Sequence, residues 1–138
     1  MIDHVGIVVA DLKRSLGFYG RVLAPLGLRI LEEHQRGAND GWAVMSTGAP
    51  QSPFFVIAEG RPSFWGPDAR PSASPVHLCF SAPSKGAVDD FHGRGLTLGA
   101  RDNGRPGIRR PPFYCAFLID FDGNNIEAGL YIGNDTQA

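Results

Sequence analysis

The sequence predicts an α+β fold in which a strand, a helix and three further strands occur twice in succession. A β-branched run at residues 2–9 precedes a segment with helical spacing of its apolar residues, and a similar run begins at Val76. A shift along the chain that places His4 on His77 keeps the two element orders in step. Between the halves, residues 60–75 carry four prolines and two glycines, a composition that favours neither a helix nor a sheet. Each half alone would expose one face of its sheet, so we expect the two halves to pack into one curved body.

The first half contains one predicted helix after its opening strand. Asp11 is expected to cap this helix, because a short polar side chain before an apolar periodic run is typical of a helix start. Leu12, Leu16 and Tyr19 lie at the spacing of one helix face, and Gly27 is expected to end the helix. Turn residues then separate three short predicted strands, at 28–34, 41–46 and 54–58.

The second half repeats this order with a proline-rich interruption. Residues 76–81 are predicted as a strand, and a helix is predicted from Ser84 to about Gly93. Residues 102–112 contain three prolines and are predicted as a connection. The other predicted strands lie at 96–101, 114–119 and 125–132. Four arginines lie in or beside the predicted connection, namely Arg101, Arg105, Arg109 and Arg110.

Length and composition limit the class of protein. The 138 residues predict a single domain over 1–138, with one module at 1–59 and another at 76–133 joined by a linker at 60–75. The chain has 14 acidic and 13 basic side chains, and the resulting net charge of −1 predicts no nucleic-acid partner. No apolar stretch is long enough to span a membrane, the N-terminus carries no signal pattern, and two cysteines make no disulfide framework. We therefore expect a cytoplasmic protein without a membrane partner.

Three polar side chains within apolar runs are candidate metal ligands. His4 lies in the first strand of the first half, His77 in the first strand of the second half, and Glu127 in the last strand. Two imidazoles and one carboxylate are a ligand set suited to Fe²⁺ and also used for Zn²⁺, Mn²⁺, Co²⁺ and Ni²⁺. The alternative is that the histidines are hydrogen-bonded sheet residues and that Glu127 is a surface acid. The residues alone leave both interpretations open.

These residues resemble the vicinal oxygen chelate superfamily, which includes glyoxalase, bleomycin-resistance proteins and ring-cleaving dioxygenases. The resemblance rests on the two histidines and on the ending Asp-Phe-Asp-Gly-Asn-Asn-Ile-Glu at 120–127, and it covers residues 2–132. It implies two βαβββ modules whose mixed sheets curve around a cleft that holds a divalent metal, and we expect one such cleft per chain. His4, His77 and Glu127 fall on the family's ligand positions, and a homodimer is also implied.

The sequence departs from the family pattern at a fourth ligand position, on the last strand of the first half. The repeat offset places Phe54 there, or Val56 if two residues are inserted, and neither side chain binds a metal. Glu59 has the opposite parity and would need a bulge to take this position. Glyoxalase-type members usually have a carboxylate there, whereas two histidines and one glutamate are what ring-cleaving dioxygenases show.

The resemblance implies a substrate with two adjacent oxygens that chelates the metal. Proton transfer would need a base or acid within hydrogen-bond reach. We consider Glu127 and Tyr114 as catalytic residues, with Tyr131, Glu59 and His92 as further candidates; the alternative for Tyr114 is an aromatic core residue. The predicted substrate pocket consists of Trp42, Phe54, Val56, Cys79, Arg101, Arg109 and Tyr131.

The predicted function is that of a metal-dependent enzyme acting on a small oxygenated molecule. The reaction would be a lyase or isomerase step of the glyoxalase kind, or ring cleavage by an oxygenase. One alternative is a protein that sequesters a small compound without turnover, as bleomycin-resistance members do, and another is a metal-stabilised scaffold. The three retained candidate ligands argue against sequestration.

Overall fold

The computed structural model describes residues 2–61, 64, 66, 68–71, 75–109 and 111–133. The first half contains β1 (His4–Val8), α1 (Leu12–Val22), β2 (Arg29–Gly37), β3 (Asp40–Ser46) and β4 (Phe54–Glu59). The second half contains β5 (His77–Ser81), α2 (Lys85–Thr97), β6 (Arg101–Arg109), β7 (Phe113–Ile119) and β8 (Asn125–Tyr131). The predicted α+β fold with two tandem βαβββ modules is confirmed.

Each half builds its own four-stranded mixed sheet. The strand orders are β1-β4-β3-β2 in the first half and β5-β8-β7-β6 in the second. In each sheet the first strand pairs in parallel with the last strand, and the other pairs are antiparallel. The parallel pairing of β5 with β8 brings the strand of His77 beside the strand of Glu127.

The helices cover one face of each sheet and pack against each other. Ile57 of β4 and Ile126 of β8 point towards the helices, and both are fully buried. Phe18 of α1 and Phe91 of α2 belong to the same buried cluster, so the two halves share one core. Successive strand residues point to opposite faces. We use the term outer face for the face of each sheet that points away from the helices.

The start of α1 follows its predicted cap, while its end differs from the prediction. The Asp11 carboxylate accepts a hydrogen bond from the Arg14 amide at 2.9 Å, which satisfies one of the free N–H groups of the first turn. The α-helix ends at Val22 instead of continuing to Gly27. A short 3₁₀ turn at Ala24–Leu26 follows, and Gly27 ends it in the left-handed region, with φ of 88°.

The predicted strand at 96–101 is wrong, because α2 continues to Thr97. Gly95 is buried within this helix, and a Cβ atom at its position would lie 2.2 Å from Leu118 Cδ1. The missing side chain lets α2 approach β7 closely, so contact with the sheet stabilises the helix beyond the predicted end near Gly93. Tertiary packing here overrides the low helix propensity of glycine.

The predicted connection at 102–112 is also wrong over most of its length, because β6 spans Arg101–Arg109. β6 is an edge strand, where a proline such as Pro106 can be tolerated although it has no N–H to donate. The register with β7 shifts on both sides of Gly104, whose φ is 157°. These irregularities allow a strand with prolines and glycines to follow the sheet.

Candidate metal centre

His77 and Glu127 form a close pair on the outer face of the second sheet. Cys79 of β5 is the register partner of Glu127 of β8, so His77 lies one same-face position away. The distance between His77 Nε2 and Glu127 Oε2 is 3.1 Å. The Glu127 side chain is buried, while that of His77 is half exposed. The pair therefore combines a shielded carboxylate with an imidazole that a ligand can reach.

The second ring nitrogen of His77 is held by the backbone. Nδ1 lies 3.0 Å from the carbonyl oxygen of Asn125, which can only accept, so Nδ1 carries the proton and donates it. In the neutral ring, Nε2 then presents its lone pair to the carboxylate oxygen of Glu127. Two acceptors at this distance repel each other unless a proton or a cation lies between them.

His4 has the same arrangement at the edge of the first sheet. Its Nδ1 lies 2.8 Å from a carboxylate oxygen of Asp3, which accepts the Nδ1 proton. The His4 ring stacks on Phe54, with 4.4 Å between ring centroids and an interplanar angle of 9°. These contacts fix the ring and leave the lone pair of Nε2 available to bind a metal ion.

The structure does not bring His4 to the other two candidate ligands within one chain. Among the residues that the structure describes, no three His, Cys, Asp or Glu side chains are close enough to hold a metal ion together. His4, His77 and Glu127 are all described. His77 and Glu127 thus form a pair, and His4 lies apart from them on the other sheet.

The turn before β8 fixes the strand that carries Glu127. One carboxylate oxygen of Asp120 accepts hydrogen bonds from the amides of Asp122 (2.9 Å) and Asn124 (2.7 Å). The other accepts from the Tyr19 hydroxyl at 2.5 Å and from the Asn124 side chain at 3.0 Å. Burial, followed by the charge of Asp120, raises the pKa of Tyr19 well above its ordinary value. Asp120 therefore anchors the turn of the motif at 120–127, and Glu127 takes no part in these hydrogen bonds.

Tyr114 lies on the opposite face of the second sheet from Glu127. Its register partner is Leu130, and its hydroxyl donates a hydrogen bond to Asp89 of α2 at 2.7 Å. This hydrogen bond is the main cause that raises the pKa of Tyr114. The sheet separates Tyr114 from Glu127, so the structure does not bring these two predicted catalytic residues together.

The predicted pocket residues of the first half lie on its outer face. Phe54 packs under His4, and Val56 is buried one same-face position further along β4. Trp42 of β3 stacks on His34, with 4.7 Å between ring centroids, and its ring also meets Phe64 edge-on. Trp65, the other aromatic residue of the predicted linker, lies outside the described residues.

Two cavities lie beside these residues. A cavity of about 410 Å³ lies between β1 and β5, and a larger one of about 920 Å³ lies between the start of α1 and the β2–β3 hairpin. None of the three candidate ligands lines the larger cavity, whereas His4 lines the smaller one. The smaller cavity is therefore the one that adjoins a candidate metal ligand. The smaller cavity is lined by His4, Phe54 and Phe55 from the first half and by Leu78, Cys79 and Phe80 from the second.

The remaining predicted pocket residues share the outer face of the second sheet with Glu127. Cys79 of β5 is the register partner of Glu127, and Tyr131 lies two same-face positions after Glu127 on β8. Arg101 and Arg109 pair with outer-face residues of β7. Both arginines lie on a strand instead of a connection, and Arg110 lies outside the described residues.

Sequence reasoning missed the residues that hold the two histidines and the contact between His92 and Asp102. Asp3 adjoins His4 in the sequence, so the Asp-His dipeptide was an available signal. The carbonyl of Asn125 gave none, because its role depends on the register of β5 with β8. His92 is buried and its Nε2 lies 2.9 Å from Asp102, which ties α2 to β6. This hydrogen bond lowers the pKa of Asp102.

Comparison with known families identifies the fold and its relatives. Residues 1–127 match the family model of the Glyoxalase/Bleomycin resistance protein/Dioxygenase superfamily. The chain belongs to this superfamily. The resemblance to vicinal oxygen chelate proteins is confirmed. No curated protein matches the sequence.

Solved structures of the superfamily resemble the chain over nearly its whole length. A glyoxalase/bleomycin resistance protein from Albidiferax ferrireducens T118 is 28% identical, with a TM-score of 0.68 over 94% of this chain and 97% of that one. Lactoylglutathione lyase from Agrobacterium tumefaciens is 19% identical, with a TM-score of 0.62 over 94% and 92%. TnmS3, an antibiotic binding protein from Streptomyces sp. CB03234, is 20% identical, with a TM-score of 0.65 over 96% of both chains. The last two likenesses show the fold alone.

Within the described residues, neither helix has the length and apolar character needed to cross a membrane.

Proposed function

We propose that the chain is a metal-dependent enzyme of its superfamily that acts on a small molecule with two adjacent oxygens. The observation that carries this proposal is the pair formed by His77 Nε2 and Glu127 Oε2, 3.1 Å apart on neighbouring strands. A divalent ion held there would act as a Lewis acid on the two substrate oxygens. Fe²⁺, Zn²⁺, Ni²⁺, Co²⁺ and Mn²⁺ all accept such ligands.

The donor atoms of the three candidate ligands fit a divalent cation. Each histidine donates its Nδ1 proton to an oxygen, His77 to Asn125 and His4 to Asp3, so each Nε2 is oriented as a ligand. A cation beside His77 and Glu127 would also remove the repulsion between their facing lone pairs. The described contacts therefore prepare the residues for a metal ion without a rearrangement of their rings.

We place His4 of one copy together with His77 and Glu127 of a second copy in a homodimer. The three residues do not gather within one chain. In a dimer with a two-fold axis, His4 of each copy would meet His77 and Glu127 of the other copy, which gives two equivalent centres. The apolar cavity of about 410 Å³ that contains His4 supports this arrangement. Ile2 at its border has 70% of its surface exposed, and a second copy would cover such a side chain.

The residues near the proposed centre favour a reaction without a fourth carboxylate ligand. Phe54 and Val56 occupy the outer face where a glyoxalase-type carboxylate would lie. Glu127 would therefore have to serve both as a metal ligand and as the group that transfers a proton. The reaction class is therefore either a lyase or isomerase step in which Glu127 moves a proton, or ring cleavage by an oxygenase. A cytoplasmic location stays a prediction from the sequence.

Metal analysis of single variants tests the ligand assignment. His4→Ala, His77→Ala and Glu127→Ala are each expected to lose most of the metal bound by the native protein. His34→Ala is the matched control, because His34 also lies on a sheet face but stacks on Trp42 and pairs with Glu32. Elemental analysis of protein purified without chelator or affinity nickel measures the content. Full retention of metal in all three variants would refute the assignment.

The identity of the metal and the products then separate the reaction classes. About one iron per chain would favour an oxygenase, tested by oxygen uptake with catechols. Zinc, nickel or cobalt would favour lyase or isomerase chemistry, tested by turnover of hemithioacetals. Each outcome selects a different first substrate screen.

A non-catalytic binding protein is the alternative function, and the apolar residues at the fourth position favour it. Phe54 and Val56 give this part of the face an apolar character that suits ligand binding better than proton transfer. The likeness to TnmS3, an antibiotic binding protein, agrees with this alternative. Tight binding of a small compound to metal-free protein, with no turnover after metal addition, would support sequestration.

A further inference from the structure

The outer face of the second sheet extends from the candidate metal pair to the edge strand β6. Glu127 of β8 pairs with Phe117 of β7, and Phe117 pairs with Gly104 of β6. The three residues form one row across the sheet. Two strand spacings separate the backbones of β8 and β6, which is about 10 Å. A small molecule that contacts both ends of this row must be elongated.

Phe117 provides an apolar surface in the middle of the row. A Cβ atom at Gly104 would lie 2.8 Å from Phe117 Cδ2, so the ring leans over the glycine towards β6. On the other side, the Phe117 and His77 rings are roughly parallel, with 6.2 Å between their centroids. An aromatic surface thus continues from the metal pair to the edge of the sheet, and it suits the flat middle of a conjugated molecule.

Two arginines of β6 flank the far end of the row. Arg101 pairs with Ile119, one same-face position after Phe117 on β7, while Gly107 pairs with Cys115, one same-face position before it. The Arg109 side chain folds back so that its Nη1 lies 2.9 Å from where a Cβ of Gly107 would be. The backbone of Arg101 and the guanidinium group of Arg109 therefore lie on either side of Gly104.

Both guanidinium groups are available for a ligand. Arg109 donates one hydrogen bond to the backbone oxygen of Arg105 at 3.0 Å. Within the described part of the chain, neither Arg101 nor Arg109 forms an ion pair with a carboxylate. Arg105 differs from them, because its charge acts on Asp102 and contributes to lowering the pKa of that residue.

We propose that Arg101 and Arg109 hold a carboxylate of the substrate, at the opposite end from the two oxygens that meet the metal. Guanidinium groups bind carboxylates through paired, charge-assisted hydrogen bonds, and the row between them fixes the separation of the two ends. The substrate class is an elongated, conjugated carboxylic acid with two adjacent oxygens at its far end. The part of this assignment that concerns the two adjacent oxygens rests on the proposed function. The part that concerns the carboxylate rests on the two arginines alone.

Binding of matched acid and ester probes tests this assignment. Caffeate has a catechol, a conjugated middle and a carboxylate, and methyl caffeate differs from it by one methyl group that removes the negative charge. With zinc-loaded protein, isothermal titration calorimetry is expected to show about tenfold tighter binding of caffeate, which equals about 1.4 kcal/mol at 25 °C. The preference should shrink as the salt concentration rises, because the arginines are exposed.

Two variants and a matched control separate the role of these arginines from a general effect of charge. Arg101→Gln and Arg109→Gln should each reduce the preference for the acid, because they weaken the binding of caffeate more than that of methyl caffeate. Arg105→Gln removes the same charge from the same strand and should keep the preference. An equal effect of all three variants, or no preference in the native protein, would overturn the assignment.

The metal-free protein distinguishes a failure of this assignment from a failure of the proposed function. Cinnamate and methyl cinnamate lack the catechol oxygens, so they probe the arginine end alone. If the protein holds no metal but prefers cinnamate in a manner that depends on Arg101 and Arg109, the acid site stands and the metal function fails. If zinc binds at the three ligands and the acid preference is absent, the metal function stands and the acid site is wrong.

Discussion

Removal of the Tyr19 hydroxyl tests the anchor that fixes the strand of Glu127. Tyr19 is 1% exposed, and its hydroxyl donates a hydrogen bond to the buried carboxylate of Asp120 at 2.5 Å. Tyr19→Phe keeps the ring that packs against Phe18 and Phe55 and removes this one donor. A hydrogen bond to a charged group contributes about 1.5–3 kcal/mol, so we expect a loss of about 2 kcal/mol in the free energy of unfolding.

Tyr114→Phe provides a matched control for this prediction. It also removes a tyrosine hydroxyl that donates to an aspartate, Asp89, but this contact lies at the exposed surface of α2. We expect a loss of about 0.5 kcal/mol or less there, as for most surface substitutions. Urea unfolding followed by circular dichroism measures both losses, and for 138 residues a loss of 2 kcal/mol lowers Tm by about 7 °C. Equal losses in the two variants would refute the reasoning.

Two further predictions concern α2 and the turn before β8. Gly95→Ala should destabilise the protein by about 1–3 kcal/mol because its Cβ would meet Leu118. Gly93→Ala, whose Cβ would have no atom within 4 Å, should stabilise α2 by about 0.5–1 kcal/mol. Thermal unfolding should therefore show Tm changes of opposite sign, and equal changes would contradict this prediction. Burial raises the pKa of Asp122 in the folded state, so its ionisation disfavours folding above the unfolded pKa of about 3.9. Asp122→Asn should therefore raise Tm at pH 7, and the gain should shrink as the pH falls below about 4; a gain that does not change between pH 7 and pH 3 would contradict this sign.

The element order could be predicted from the sequence because local signals determine it. Asp11 and Ser84 stand before apolar runs with helical spacing, and each caps its helix in the structure. The strands with β-branched and aromatic residues, such as β4 and β7, were also found near their observed bounds. These signals need no knowledge of the rest of the chain.

The elements that were missed depend on contacts between distant residues. β6 contains Pro106 and two glycines, which predict a connection, and only its pairing with β7 makes it a strand. The end of α2 depends on the fit of Gly95 against Leu118. Neither partner can be identified from the local pattern of β6 or α2.

The site was predictable residue by residue, but its assembly was not. Equivalent strand positions in the two halves indicated His4 and His77, and the motif at 120–127 indicated Glu127. The register of β7 with β8, which puts Tyr114 on the helix side, requires the pairing itself. The separation of His4 from the pair depends on how the two halves pack, which no local pattern specifies.

Subunit mixing tests the central claim, a metal centre shared between two copies, most directly. His4→Ala and Glu127→Ala, one of them tagged, are refolded together and examined by native mass spectrometry with zinc. We predict about two zinc ions in the native dimer and none in either variant homodimer. The mixed dimer should hold about one zinc ion, because a two-fold axis leaves one of its two centres intact. A mixed dimer without zinc, or zinc held by either variant alone, would contradict the shared centre.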